Sequence, residues 1–148
     1  MKGVRVFLRS LIAAAVIGIV SASAQETPST TADPSLTVEL NALQASERGC
    51  RFTFVVTNRL GAELSNAAFE LVLFDKAGMV SRITVVDFKD LPEGKTKVRQ
   101  FDFSGVDCTK LGRILVNDAT QCAGDGIEPK ACVRYLKTLN RSEAEFGV

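Results

Sequence analysis

Apolar and polar side chains alternate along most of this chain, and that period of two organises everything else. Residues 36–40 place Leu36, Val38 and Leu40 on one side and Thr37 and Glu39 on the other, the pattern of a strand with one buried face. Residues 46–49 (Ser-Glu-Arg-Gly) predict a turn. Residues 50–58 then alternate again, with Cys50, Phe52, Phe54 and Val56 inward and Arg51, Thr53 and Thr57 outward. Residues 58–62 read as a connection, because Asn and Gly favour turn conformations; one helical turn over 62–67 is the alternative.

The stretch 68–103 predicts three successive strands joined by two turns. Residues 68–75 are apolar on both faces apart from Glu70, as in a central strand covered on two sides. Residues 75–78 turn the chain, with Gly78 where positive φ is easiest. Residues 79–88 return with Val80, Ile83, Val85, Val86 and Phe88, and residues 89–94 turn again around Pro92 and Gly94. In residues 95–103, Lys95, Lys97 and Arg99 share a parity with Phe101 and Phe103. A straight strand would put three cations and two phenyl rings on one face. Because unpaired buried charge is prohibitive, the pattern predicts a β-bulge near Arg99 and Gln100 that exchanges the faces.

Residues 111–117 predict a further strand, with Ile114 and Val116 opposite Leu115, and residues 118–130 a polar loop. A helical turn over 129–136 follows from Pro129, which suits the first helical position. Ala144, Phe146 and Val148 alternate with Glu143 and Glu145, as in a final edge strand or a tail. Six or seven short strands at roughly ten-residue spacing predict an all-β fold, an immunoglobulin-like antiparallel β-sandwich with disulfides. The chain has no tryptophan, so the core Trp of antibody domains is absent.

The N-terminus changes the charge and the compartment. Lys2, Arg5 and Arg9 precede an apolar run over residues 11–20, and Ala22-Ser23-Ala24 precedes Gln25, which predicts a secretory signal peptide over residues 1–24. The apolar run falls short of the roughly 20 residues that span a bilayer, so no integral span is expected after cleavage. Residues 25–35 (QETPSTTADPS) have nothing to bury and predict a flexible linker, with the sandwich over 36–148. Three of the 18 basic residues and none of the 17 acidic ones lie in the signal, which leaves 15 against 17 and a net charge of −2. That balance excludes the clustered basic surface that neutralises nucleic-acid phosphates.

Cys50, Cys108, Cys122 and Cys132 all lie in the exported part, where thiols pair. Three connectivities are open to four cysteines. We expect Cys50–Cys108 and Cys122–Cys132, the first tying an early strand to the end of the hairpin array and the second closing a short loop.

Histidine is absent, which removes the commonest general base and the commonest zinc or copper ligand. No C-x-x-C pair occurs, and Met79 is the one methionine left after processing, so no cofactor or metal is expected. Asp87, Asp90, Asp107, Asp118, Asp125 and Glu128 crowd the loops without the spacing of a calcium loop, and read as solvated turn residues. Lys95, Lys97 and Arg99 are the candidate interaction face; edge protection is the plainer role for such a stripe.

Residues 54–58 (FVVTN), 69–80 with Leu-Phe-Asp and Gly, and 91–96 (LPEGKT) resemble the FxLYD-type immunoglobulin-like domains of bacterial secreted proteins. Residues 49–55 (GCRFTFV), 87–92 (DFKDLP), 98–102 (VRQFD) and 115–118 (LVND) are similar to a family of small exported alphaproteobacterial proteins of unknown function, over nearly the whole exported part. That resemblance implies a periplasmic or secreted location and no activity. The expected function is a non-enzymatic protein-interaction or structural module of the cell envelope, whose partner is an envelope or periplasmic protein. The alternatives are an inhibitor of a secreted hydrolase acting through the 122–132 loop and an enzyme using carboxylates alone.

Overall fold

Phe54 and Phe88 meet edge to face with their ring centroids 5.5 Å apart, one ring from each of two facing sheets. The computed structural model describes residues 33–148. The expected signal peptide lies outside them, as does the linker up to residue 32. The strands are β1 (Ser35–Ser46), β2 (Gly49–Arg59), β3 (Leu64–Asp75), β4 (Val80–Leu91), β5 (Thr96–Ser104), β6 (Leu111–Ala123), β7 (Leu136–Asn140) and β8 (Glu145–Gly147). A 3-10 turn at Cys108–Lys110 precedes β6, and one short helix, α1 (Ala131–Arg134), precedes β7. One sheet has the order β5-β2-β1-β7 and the other β4-β3-β6-β8.

The all-β sandwich expected from the alternation is therefore present. Its triplets β5-β2-β1 and β4-β3-β6, with the chain changing sheets at β2–β3 and β4–β5, form the immunoglobulin-like arrangement. The expectation of purely antiparallel sheets is corrected. β7 runs parallel to β1 and β8 parallel to β6. The cause is the C-terminal segment, which passes through α1, a crossover of the kind a parallel pair needs, and then adds to each sheet in turn.

Inward residues of the two sheets make the core: Leu36, Val38, Leu40, Phe52, Phe54 and Val56 face Phe69, Leu71, Leu73, Val86, Phe88 and Ile114. Phe54 also packs against Phe52, Phe101 and Phe146, so β8 contributes a ring to the same cluster. β3 lies between β4 and β6, mid-sheet as its apolar run predicts.

Three local expectations fail. β2 and β5 pair without interruption from Gly49↔Ser104 to Thr57↔Thr96, so there is no bulge at Arg99 and Gln100. The premise fails because the cations are paired, as described below. β6 continues to Ala123 through residues expected to loop, since its backbone pairs with β3 as far as Asn66↔Ala123 whatever its outward side chains are. The helical turn is shorter than 129–136, and β7 follows it in register with β1 from Leu36↔Leu136. The connection expected after β2 is present, and its alternative, a helical turn over 62–67, is not, because β3 begins at Leu64.

Both disulfides take the expected pairing, Cys50–Cys108 and Cys122–Cys132, with Cα atoms 5.1 and 5.8 Å apart. The first joins the start of β2 to the turn before β6, and the second joins the end of β6 to α1. Gly112 at the start of β6 must be glycine, because a Cβ there would lie 2.6 Å from the Asp75 carbonyl oxygen.

Candidate interaction surface

The outward face of the second sheet is built from three cross-strand rows. Val80, Phe74 and Arg113 form the first, Ile83, Val72 and Leu115 the second, and Val85, Glu70 and Asp118 the third. Directly opposed residues point to the same side of a sheet. β3 places Val72 and Phe74 there because Leu71 and Leu73 occupy the core. A bulge between the Leu73↔Arg82 and Phe74↔Val80 pairs turns Val80 outward as well. The outcome is a continuous apolar surface with Val80 54%, Ile83 60% and Val85 51% exposed. At its borders the Arg113 guanidinium lies 5.8 Å from the Phe74 ring centroid, and Asn117 Nδ2 donates to Glu70 Oε1 at 2.7 Å. Contiguous exposed apolar area rimmed by polar groups marks an interaction site in a soluble domain.

β4 is also the terminal strand of its sheet, so one row of its backbone groups has no partner strand. The candidate cations Lys97 and Arg99 act here. Arg99 Nε donates to the Phe88 carbonyl at 3.0 Å, and Lys97 Nζ donates to the Asp90 carbonyl at 2.9 Å and to the Asp90 carboxylate. Asp90 Oδ1 lies a further 3.8 Å from Arg99. The Lys97 ammonium holds the Asp90 carboxyl below its ordinary value, with Arg99 adding to the effect. These two cations thus share a face with Phe101 and Phe103 at the open side of the sandwich, and they cap the C-terminal half of the β4 edge. Lys95 is exposed in the turn before β5. The stripe is therefore split between a β4 clasp and one free lysine, and it does not form an outward cationic face.

The N-terminal half of the β4 edge carries no such cap. The Asp75 amide donates to the Met79 carbonyl and Ser81 Oγ to the Leu73 carbonyl, so Leu73, Leu71 and Phe69 face β4. Their partners Arg82, Thr84 and Val86 turn their backbone groups into the ladder, and Ile83 and Val85 turn theirs to the open side. The bulge at Phe88 is what frees its carbonyl for Arg99. The apolar surface and the uncapped edge meet at Ile83 and Val85.

The acidic loop residues other than Asp125 are engaged locally. Asp87 bonds the Lys89 amide and ammonium, Asp107 accepts from the Thr109 amide at 2.9 Å, Asp118 accepts from the Ala119 amide, and Glu128 pairs with Arg134 at 2.6 Å. Among the described residues no group of three or more His, Cys, Asp or Glu is placed to hold a metal ion. A groove of about 620 Å³ beside residues 41–45 of β1 has Lys76, Arg141 and a single carboxylate, Glu143, in its lining. The 122–132 loop is held against the fold, with the Cys132 amide 3.2 Å from Cys122 Sγ and Ile127 packed on the core.

No family model, curated protein or solved structure matches this chain.

The alternation does not reveal this surface, because the apolar outward residues of β3 read as covered. The signal is present in Ile83 and Val85, which fall on the opposite strand face from Val86 and Phe88; Val80 shares the parity of Val86 and is turned outward by the bulge.

Proposed function

We propose that the domain is a non-enzymatic interaction module of the cell envelope that accepts an extended strand at the uncapped half of β4. The observation that carries this reading is the coincidence, at Ile83 and Val85, of free backbone groups with exposed apolar side chains. An added strand gains affinity from main-chain hydrogen bonds and specificity from alternate side chains. The fitting partner is an extended segment of an envelope protein with apolar residues at every second position, facing the same side as Ile83 and Val85. Two disulfides support an extracytoplasmic setting. Among the described residues no helix is long and apolar enough to cross a membrane.

The test is capture from an envelope extract with the disulfide-bonded protein and its Val85→Pro variant. Proline removes one edge donor and leaves the β3–β4 ladder intact. A captured protein that is lost with Val85→Pro, while circular dichroism is unchanged, supports strand addition. The inhibitor reading rests on the anchoring of the 122–132 loop. It gains if capture survives Val85→Pro and disappears on deletion of residues 124–130.

A further inference from the structure

The uncapped half of β4 is complementary to itself. An antiparallel pair of β4 strands related by a two-fold axis through Thr84 sets Thr84 opposite Thr84 of a second copy, and Arg82 opposite Val86. Those residues turn their backbone groups to β3 and meet as non-hydrogen-bonded pairs. Ile83 and Val85, whose backbone groups face the open side, fall opposite Val85 and Ile83 of the second copy as hydrogen-bonded pairs, so every free N–H and C=O between positions 82 and 86 finds a partner in this register. Charge agrees with the register. Arg82 meets Val86 and Asp87 falls toward Ser81, so no like charges face each other. Beyond Val86 the Phe88 carbonyl is already taken by Arg99, which limits the pairing to this segment.

We infer that the occupant of this edge is a second copy of the chain, joined as a two-fold dimer by antiparallel β4–β4 pairing about Thr84. The inference rests on the strand-addition reading and names its partner. The two four-stranded sheets then become one eight-stranded sheet, and the apolar rows of both copies lie side by side on one continuous face. Closed two-fold symmetry ends association through this edge at two copies, because the pairing uses the open β4 segment of both.

Sedimentation equilibrium of the disulfide-bonded protein, at concentrations up to about 100 µM where a micromolar dimer is populated, tests this. Twice the monomer mass is expected. The double substitution Ile83→Lys with Val85→Lys sets like charges opposite each other at two places and raises the dimer dissociation constant at least about tenfold. Ile83→Glu with Val85→Glu does the same. All four substitutions fall on exposed side chains, so each chain keeps its fold, checked by circular dichroism. Mixing the lysine and glutamate chains restores a dimer, because only this register opposes position 83 to position 85. A wild-type monomer throughout the range, a dimer unaffected by the charge variants, or a mixture that stays monomeric overturns the inference. A monomer whose capture of an envelope protein is lost with Val85→Pro overturns the self-pairing alone and leaves strand addition standing.

Discussion

Asn58, fully buried at the end of β2, donates its side-chain amide to the Leu91 carbonyl of β4 at 2.8 Å, joining the two sheets where the chain crosses between them. The same amide donates to the Ala62 carbonyl at 2.9 Å, and Oδ1 accepts the Leu60 amide at 3.0 Å. Its backbone is bonded as well, to Lys95 and Gly94 of the β4–β5 turn. One residue thus fixes two of the connections between the sheets, β2–β3 and β4–β5.

Asn58→Ala leaves the Leu91 carbonyl and the Leu60 amide without partners in a buried setting. The expected cost is about 3 kcal/mol, from several lost bonds at roughly 1 kcal/mol each with a desolvation penalty. Urea unfolding measures it, and a loss under about 1 kcal/mol would mean that water replaces the amide.

Arg99→Ala opens the capped half of the β4 edge. The lost bond to the Phe88 carbonyl costs about 1 kcal/mol. The more telling change is colloidal, because a longer uncapped strand pairs with other copies out of register. Light scattering on incubation should rise faster than in the wild type, and an unchanged rate would remove the capping role from Arg99.

The two disulfides differ in loop length, with separations of 58 and 10 residues. Replacing Cys50 and Cys108 together by alanine should cost about 4 kcal/mol, and replacing Cys122 and Cys132 about 3 kcal/mol, on the chain-entropy argument. Denaturation midpoints of the two double variants decide the order. The reverse ranking would show that native-state packing of Cys132, and not loop entropy, dominates.

Stability should be level between pH 5 and 8, since the chain has no histidine to titrate there. It should fall in acid. Hydrogen bonds from Lys97 to Asp90, from Lys89 to Asp87 and from Arg51 to Asp102 hold these carboxyls below their ordinary value of 3.8. A folded-state value below the unfolded one gives a contribution that is complete above 3.8 and is lost as pH falls through the folded-state values. Thermal unfolding across pH 2 to 8 checks the sign. Asp90→Asn should flatten the acid limb, and an equally steep limb would mean that Asp90 gains nothing from Lys97.

The sandwich was legible because its core strands alternate strongly. Phe52, Phe54 and Val56 announce β2, and the bridged cysteines sit where that alternation places Cys50. β7 was not legible, because Leu136 and Leu139 are its only large apolar residues and they do not alternate. It is a strand because β1 offers a parallel partner, which is a tertiary cause. The straight course of β5 was hidden for a similar reason. Its pattern, read alone, shows buried cations, whereas Asp90 and the Phe88 carbonyl on another strand satisfy them. The apolar surface of the second sheet was visible as residues and misread as core, since one strand's two-sided apolarity does not say which side a second layer covers.

β6 is fastened covalently just before its first residue, through Cys108 to Cys50, and near its last, through Cys122 to Cys132. A chain pulled from its ends cannot lengthen through residues 50–108 or 122–132, because the bridges carry the load across those spans. Only residues before Cys50, those of β6 and those after Cys132 can pay out. Phe74, Val80, Ile83 and Val85 of the exposed face lie within the shielded span, whereas Arg113 and Leu115 of β6 do not, so tension on the termini spares the β3–β4 backbone and reaches the face through β6 alone.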